Sequence, residues 1–489
     1  MMIDIETLRT CVRDGVDFVK KQKDVIDVEI FASWNEHITV RLNYTSDIPC
    51  NGVHEPKSIQ YNGIGLLAVF GTGKGVKVGF GSVSNNITKR GVVDAFRKAK
   101  RNRIYDPDFK SLPLPFGKVV LENYHDPAVM EIGDEAIVIL GWRGLKGAIT
   151  EYNKKNFNNS IIISGDITII KERMAIASTK GIDDFDETTI LTTNITSMVE
   201  REGVKGTGWC ASTHLSDFKP EDAGCDSVLS AINTIGGERI STGTYNVVFG
   251  RQPVTDLFKN IVIPALSLSS INASDSPFIG KLGQKISSEL LTVYDDGTIS
   301  GAVGSKKVTC EGIPTGRTDL INNGFLVGFL ANNYFSRKLE NIFTSFVPRN
   351  GFRYQNGGRY HNVQPKICPT NIVIEGKEEV PNEALLTKIN DGVYIGRIWY
   401  TYPINGLAAG DFTSTIVADS YIVKMGKIYK PLKPNTVRLN NNILDILNNI
   451  IAVSSEKKQT IVWGGEEVVL APEIAVEGVK LDSISGFLY

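Results

Sequence analysis

The stretch IGLLAVFGTGKGVKVGF, from Ile64 to Phe80, decides the fold of the first part of the chain. Ile64 to Phe70 is an apolar run of strand length, and Val76 to Phe80 alternates apolar residues with lysine and glycine. The segment between them, Gly71 to Gly75, is rich in glycine, which tight turns favour. The stretch therefore predicts a β-hairpin.

The same segment superficially resembles a phosphate-binding loop, Gly71-Thr72-Gly73-Lys74-Gly75. That loop requires glycine at the first of its eight positions and serine or threonine after the lysine, where Ala68 and Gly75 stand. It also links a strand to a helix, whereas this segment links two strands. A hairpin turn is the better interpretation.

Helices are predicted on both sides of this hairpin. Upstream, four apolar residues recur at three- and four-residue steps: Leu8, Val12, Val16 and Val19. Such spacing is typical of one face of an amphipathic helix, and a second helix is predicted from about Thr88 to Arg103.

Between the first helix and the hairpin lie two further period-two runs, Val28–Ala32 and Ile38–Leu42. The polar pair Asn35-Glu36 interrupts them, which predicts a second hairpin. The predicted order of the first unit is therefore a helix, four strands and a helix.

The rest of the chain predicts an α+β protein with mostly antiparallel sheets. Residues 104–117 contain three prolines and indicate a linker, and helices are predicted from about Val129 to Tyr152 and from Pro220 to Ile235. After Thr244 short strands and glycine turns dominate, so α/antiparallel-β units precede a large β-rich C-terminal domain. The predicted domains are residues 1–117, with the linker, 118–240 and 241–489.

Composition excludes several classes of function. With a net charge of −1, the chain has no basic excess for binding nucleic acid. The one aromatic residue of the basic helix predicted from about Thr88 to Arg103 is Phe96, on its apolar face. No apolar stretch approaches the roughly 18–20 residues that span a bilayer. The six cysteines are scattered singly, and Met1 to Glu6 has no basic segment followed by an apolar run. We therefore expect a cytoplasmic protein.

Local catalytic motifs are absent from the sequence. None of the five histidines (His37, His54, His125, His214 and His361) lies within six residues of another, so none forms the histidine pair of a helical zinc site. Pro56 blocks a helix after His54-Glu55. There is also no nucleophile elbow of the GxSxG type.

The C-terminal half carries a series of motifs in a fixed order. They are Gly243 to Phe249, Gly280 to Ser288, Leu291 to Gly297, Glu311 to Thr315, Gly410 to Thr413, Tyr421 to Val423, Gly426 to Ile428, Asn440 to Ala452 and Ala471 to Ile474. Together they resemble the C-terminal domain of the TldD/PmbA family, once called modulators of DNA gyrase. The order of the N-terminal strands fits the same family more weakly.

The resemblance implies a two-subunit metallopeptidase. In that family the TldD-type subunit holds zinc with a helical HExxxH motif and a cysteine near the C-terminus, and the TldE/PmbA-type subunit lacks these ligands. Laid beside that motif, this chain has Lys259 at the first histidine, Asn260 at the glutamate and Pro264 at the second histidine. Residues 454–489 contain no cysteine.

The resemblance thus implies a non-catalytic subunit with no metal of its own. Its partner would be a zinc-holding TldD-type chain, or the chain would pair with itself, and its substrate would be a peptide. The segment Gly410, Asp411, Phe412 and Thr413 is the predicted substrate or interface contact.

Other interpretations remain open at this stage. The chain could be a metal-free homodimer that binds peptides or proteins without cleaving them, or a cysteine amidase built on Cys210 or Cys310. Lys259 could be a surface residue only, and Glu311 and Asp411 could stabilise turns.

Overall fold

A computed structural model describes residues 3–48, 51–72, 75–155, 160–343, 346–355, 358–461 and 468–484. Cys50 and two residues of the predicted hairpin turn, Gly73 and Lys74, lie outside these ranges. The described residues form an α+β fold with a β-rich C-terminal part, which confirms the predicted class.

The N-terminal part of the chain forms a single mixed unit of helices and long strands. Its elements are α1 (Ile5–Val19), β1 (Val25–Thr45), β2 (Gly52–Val53), β3 (Lys57–Thr72), β4 (Gly75–Ser84), α2 (Lys89–Arg101), β5 (Ile104–Tyr105), α3 (Pro127–Met130), α4 (Asp134–Lys154), β6 (Ile161–Ser178), β7 (Asp183–Val199), β8 (Val204–Ser212) and α5 (Pro220–Ile232).

The hairpin predicted from Ile64 to Phe80 is confirmed, because β3 and β4 pair antiparallel up to Thr72 opposite Gly75. The hairpin predicted at Asn35-Glu36 is wrong, because β1 continues through both residues. Asn35 is buried and donates its amide to the Arg359 carbonyl (2.8 Å). Glu36 pairs with Lys171 on the neighbouring strand (3.0 Å). The polar pair marks contacts within the fold and does not mark a turn.

One sheet of the order β5-β4-β3-β1-β6-β7-β8, with β2 beside β1, joins the first two predicted domains. Strands β1 and β6 pair from Glu29 opposite Ser178 to Thr45 opposite Ile162. Because successive side chains of a strand point to opposite faces, the even-numbered apolar residues of β1 pack on the helices. Odd-numbered Phe31 packs instead against the C-terminal part of the chain.

The C-terminal part begins at β9 (Gly243–Phe249) and a helical segment with a π turn. This segment is α6 (Arg251–Leu257), the π turn (Phe258–Val262), α7 (Ile263–Ala265) and α8 (Leu268–Asn272). The next elements are β10 (Leu291–Asp296), β11 (Arg317–Asn322), β12 (Phe325–Leu326), α9 (Asn333–Lys338), β13 (Gly351–Phe352), β14 (Tyr354–Gln355), β15 (Gly358–Arg359), β16 (Lys366–Ile367), β17 (Asn371–Gly376), β18 (Glu379–Val380) and α10 (Asn382–Ile389). The last are β19 (Gly392–Pro403), a 3₁₀ turn (Leu407–Ala409), β20 (Asp411–Lys424), β21 (Lys427–Pro431), β22 (Val437–Asn442), α11 (Ile443–Asn448), β23 (Ile450–Ser454), β24 (Lys458–Thr460), β25 (Val468–Ala471) and β26 (Ile474–Ser483).

Five C-terminal strands close into a barrel, because β9 pairs with both β19 and β26 while β20 and β22 complete the ring. A second sheet has the order β12-β11-β10-β17-β25-β24. The α6–α8 segment packs between the barrel and this sheet in one large apolar core. No helix within the described residues is both long and apolar enough to cross a membrane.

A buried ion cluster joins the N-terminal sheet to the C-terminal part. The fully buried Arg359 guanidinium on β15 donates to Glu172 (2.6 Å) and Asp186 (2.9 Å) of the N-terminal sheet. Burial alone would raise the pKa of Glu172, but Arg359 and Lys306 outweigh it and hold the pKa at about 2. Arg353 pairs with buried Glu29 (2.8 Å) and so joins the two parts at a second point.

Substitution of Arg359 by alanine should strongly destabilise the fold. Removing one partner leaves buried carboxylates uncompensated, which costs about 3–5 kcal/mol. We expect Arg359→Ala to lower the free energy of unfolding in urea by this amount. The control, Arg97→Ala, removes an exposed pair with Asp94 and should change it by less than about 1 kcal/mol. Equal effects of the two variants would contradict this role of the cluster.

Candidate functional site

The positions predicted to correspond to the zinc motif lie on the segment that follows β9. Lys259 and Asn260 stand in the π turn, and Pro264 in α7. Proline lacks an N–H and its ring crowds the carbonyl four residues earlier, here that of Asn260. The widened turn that ends at Val262 is the kind of local irregularity that often occurs at functional sites.

Asp256, one helical turn before Asn260, is the centre of a hydrogen-bonded group. The Asn260 amide donates to both the carbonyl (2.9 Å) and the carboxylate (3.0 Å) of Asp256. The Thr401 hydroxyl also donates to this carboxylate and contacts the Ser414 hydroxyl at 2.8 Å. Burial raises the pKa of Asp256, and Thr401, Lys259 and Asn260 partly oppose that rise.

These residues do not fit a zinc ion. Zinc in proteins is held by imidazole, thiolate or carboxylate groups, and Lys259, Asn260 and Pro264 provide none of these. Asn260 already uses its amide on Asp256, and the Pro264 carbonyl accepts from Ser270 (2.8 Å). In the ranges that the structure describes, no three histidine, cysteine, aspartate or glutamate side chains are grouped to hold a metal.

The predicted contact segment lies at the start of β20. Gly410 ends a 3₁₀ turn with φ of 73°, a left-handed conformation that glycine adopts readily. The Asp411 carboxylate accepts from Asn442 (2.9 Å), and the Thr413 hydroxyl bonds Asn440 (2.7 Å). Phe412 is fully buried in the core. All four residues have roles inside the fold, and their contact with a ligand or partner stays a prediction.

A cavity of about 650 Å³ lies between the N-terminal sheet and the barrel. This size is within the range of about 300–1,000 Å³ that is usual for small-molecule sites. Its floor includes alternate residues of three neighbouring strands: Ser164, Asp166 and Thr168 on β6; Thr192, Asn194 and Thr196 on β7; Lys205, Thr207 and Trp209 on β8. The opposite wall includes Arg397, Trp399 and Asn435.

Arg397 connects this cavity to the segment after β9. Its half-buried side chain lines the cavity. Desolvation lowers the pKa of the guanidinium to about 10, while the carboxylates of Asp256 and Asp419 oppose the decrease. The cavity wall is therefore electrostatically coupled to the helix where the family motif would lie.

Sequence reasoning missed Asp256, Arg397, Thr401 and the cavity floor. Two signals could have found part of the site. Asp256 lies four residues before Asn260, which places both on one helix face. The segment from Thr188 to Ser197 contains five threonines, a serine and an asparagine. So polar a strand predicts that one of its faces is not packed in an apolar core.

Glu311, in one of the family motifs, is a buried carboxyl. It accepts a hydrogen bond from the backbone N–H of Asn333 (2.9 Å) at the first turn of α9. Burial and the nearby Glu29 raise its pKa to about 8, against the lowering effects of the Asn333 N–H and Arg353. Its contacts indicate a structural role.

Comparisons with known proteins agree with this architecture. Residues 242–483 match the PmbA/TldA metallopeptidase C-terminal domain. An uncharacterized protein of Methanocaldococcus jannaschii is 26% identical over 315 residues, which are 63% of this chain and 70% of that protein. A metalloprotease TldD homolog of Buchnera aphidicola subsp. Schizaphis graminum is 25% identical, over 62% of this chain and 63% of its own length, just under two thirds. The crystal structure of TldE from Thermococcus kodakarensis superposes with a TM-score of 0.79 at 19% identity, covering 97% of this chain and 100% of that one.

These matches first define a class, that of metallopeptidase-related proteins with the two-part fold described above. Within that class, residues 242–483 carry the C-terminal domain of the TldD/PmbA family, as the ordered C-terminal motifs indicated.

The raised pKa of Glu311 predicts a pH-dependent stability. The folded protein keeps the proton of the Glu311 carboxyl up to about pH 8, whereas the ordinary pKa of a glutamate carboxyl is 4.5. The stabilisation is therefore complete below pH 4.5 and is lost as the pH rises to 8, at up to about 1.4 kcal/mol per pH unit. Glu311→Gln should remove this contribution from the slope measured by urea unfolding from pH 5 to 8, whereas buried Asp295, whose pKa is raised to about 7 by burial, keeps its own. The exposed control Glu378→Gln should retain it, and equal slopes in all three proteins would show that Glu311 is not the titrating group.

Proposed function

We propose that the chain is the non-catalytic, TldE/PmbA-type subunit of a dimeric cytoplasmic metallopeptidase that degrades or trims peptides. The zinc ion belongs to a TldD-type partner. This chain shapes the chamber and helps to align the peptide, which can bind as an added strand through backbone hydrogen bonds.

The chemistry of the helical segment after β9 carries this proposal. A zinc peptidase needs ligands for the metal and a general base beside it. A lysine, an amide and a proline stand at the three corresponding positions, and the amide of Asn260 is bonded to Asp256. Residues 454–489 also lack the cysteine ligand.

The cysteine-amidase alternative has less support. Nucleophilic cysteines have lowered pKa values, because the thiolate is the reactive form. Burial raises the pKa of Cys210 to about 11 and that of Cys310 to about 12. Both thiols are therefore protonated at neutral pH, although Cys210 does line the cavity.

The second alternative, a metal-free homodimer that binds peptides without cleaving them, has the cavity as its supporting observation. It differs from the main proposal in needing no second kind of chain. Both hypotheses are addressed by one reconstitution experiment.

The experiment compares the purified chain alone with the chain mixed with a TldD-type protein that carries HExxxH. We expect peptide cleavage only when the TldD-type protein is present, and a chelator should abolish this cleavage. Stoichiometric zinc should co-purify with the partner but not with this chain. Because the HExxxH ligands belong to the partner, zinc should follow that chain during purification.

Three outcomes would count against the proposal. Zinc and cleavage in the isolated chain would contradict it outright. Chelator-resistant cleavage by the isolated chain, lost in Cys210→Ala, would favour the cysteine enzyme. Peptide binding without cleavage in any mixture, together with a stable homodimer, would favour the binding module.

The contact predicted at β20 has its own test. If the start of β20 contacts substrate or partner, Asp411→Ala should reduce peptide turnover by the assembled complex several-fold, because the variant removes a half-buried carboxylate and its bond to Asn442. The exposed Asp445→Ala on α11 serves as the control. Unchanged turnover in the folded Asp411→Ala complex would show that the predicted contact is wrong.

A further inference from the structure

The cavity between the N-terminal sheet and the barrel has features of a ligand site that go beyond a general chamber. We propose that it binds a short extended peptide that carries a carboxylate, and that Arg397 binds this carboxylate. The inference rests on the proposed function, because it names the class of peptide that the chain selects.

The guanidinium of Arg397 has unused hydrogen-bond donors. Across the residues that the structure describes, its side chain makes no hydrogen bond and no ion pair within 4.0 Å. A guanidinium has five N–H donors arranged as a rigid fork that matches a carboxylate. Asp256 and Asp419 stabilise its charge from a distance, and burial raises the pKa of both of these carboxyls. A half-buried cation with unused donors is a suitable anchor for an anionic ligand.

Cationic side chains outnumber anionic ones in the lining of the cavity. Lys205 is exposed on the floor. The Lys306 ammonium forms an ion pair with the Glu172 carboxylate (Nζ to Oε1, 3.7 Å). The acidic group of the lining is Asp166, whose pKa burial raises while Thr168 and Arg41 lower it. Burial lowers the pKa of His37, also in the lining, so this imidazole adds little charge at neutral pH.

The floor is suited to a peptide backbone. Half-buried threonine hydroxyls of adjacent strands face the cavity, among them Thr196 and Thr207, which lie 3.3 Å apart. A hydroxyl both donates and accepts, so such a surface can bond amide N–H and C=O groups in any sequence. Trp399, 39% exposed and stacked on Tyr400 at 5.1 Å, adds an aromatic surface at the same wall.

The test measures binding of three tetrapeptides to the isolated chain by isothermal titration calorimetry. One peptide has a free C-terminal carboxylate and alanine side chains. The second has an amidated C-terminus and one glutamate, and the third replaces this glutamate with glutamine. A charge-assisted hydrogen bond contributes enough for about a tenfold difference in affinity. We expect at least one carboxylate peptide to bind about tenfold more tightly than the neutral one, and the first two peptides distinguish a terminal from a side-chain carboxylate.

Variants assign this preference to Arg397. Arg397→Gln should remove it, and Arg397→Lys, which keeps the charge without the fork, should retain part of it. The matched control is Arg438→Gln, which removes an exposed arginine from β22 of the same barrel and should bind as the unmodified chain does. Thermal unfolding checks that each variant is folded.

Equal affinity of the unmodified chain for all three peptides, or no binding to any, would overturn the inference without using a variant. A folded Arg397→Gln protein that still prefers carboxylates would also overturn it. The proposed function fails on different evidence, namely zinc and cleavage in the isolated chain, so the two failures are distinguishable.

Discussion

The fold depends on charges that are buried where the N-terminal sheet meets the C-terminal part. Arg359 has no exposed surface and holds Glu172 and Asp186, which belong to two adjacent strands of the sheet. Removing such ions from water costs several kcal/mol each, and the cost is repaid only when every partner is in place. An alternative docking of the two parts would leave these charges unpaired. The cluster therefore restricts the chain to one relative placement of sheet and barrel, whatever its net contribution to stability.

That placement creates the cavity. The face of the sheet opposite the helices is continuous, yet only part of it is closed by the C-terminal residues that pack on Phe31, Met174 and Ile176. Further along β6, the side chains on the same face change to Thr168, Asp166 and Ser164, which line the cavity. Apolar and ion-paired residues fill the junction where it is closed, and hydroxyl-bearing residues follow where a gap remains.

Local patterns predicted the elements of this fold better than they predicted its contacts. The apolar periodicity of α1 and the glycine turn between β3 and β4 depend on neighbouring residues, so the sequence was sufficient for both. Asn35 was misinterpreted because a buried polar residue that bonds a carbonyl 324 positions away has the same local pattern as a turn. Arg397 was not predicted for a similar reason. It lines the cavity because the barrel wall faces strands of the N-terminal sheet, and the last of these, β8, ends at Ser212, far from Arg397 in the sequence. The family resemblance predicted positions 259, 260 and 264 as counterparts of the zinc motif, and it contained no information about Asp256.

Hydrogen bonds between side chains order the segment after β9. The Asn260 amide donates to the Asp256 carboxylate, which also accepts from the Thr401 hydroxyl of the neighbouring strand. A glutamate at position 260 would instead put a second carboxylate beside Asp256, whose pKa burial already raises. Like charges at this spacing repel, so the network of hydrogen bonds and the catalytic glutamate of the family motif are alternatives. Asp256 also stabilises the charge of Arg397, so the hydrogen bonds that hold Asp256 in place also affect the cation in the cavity wall.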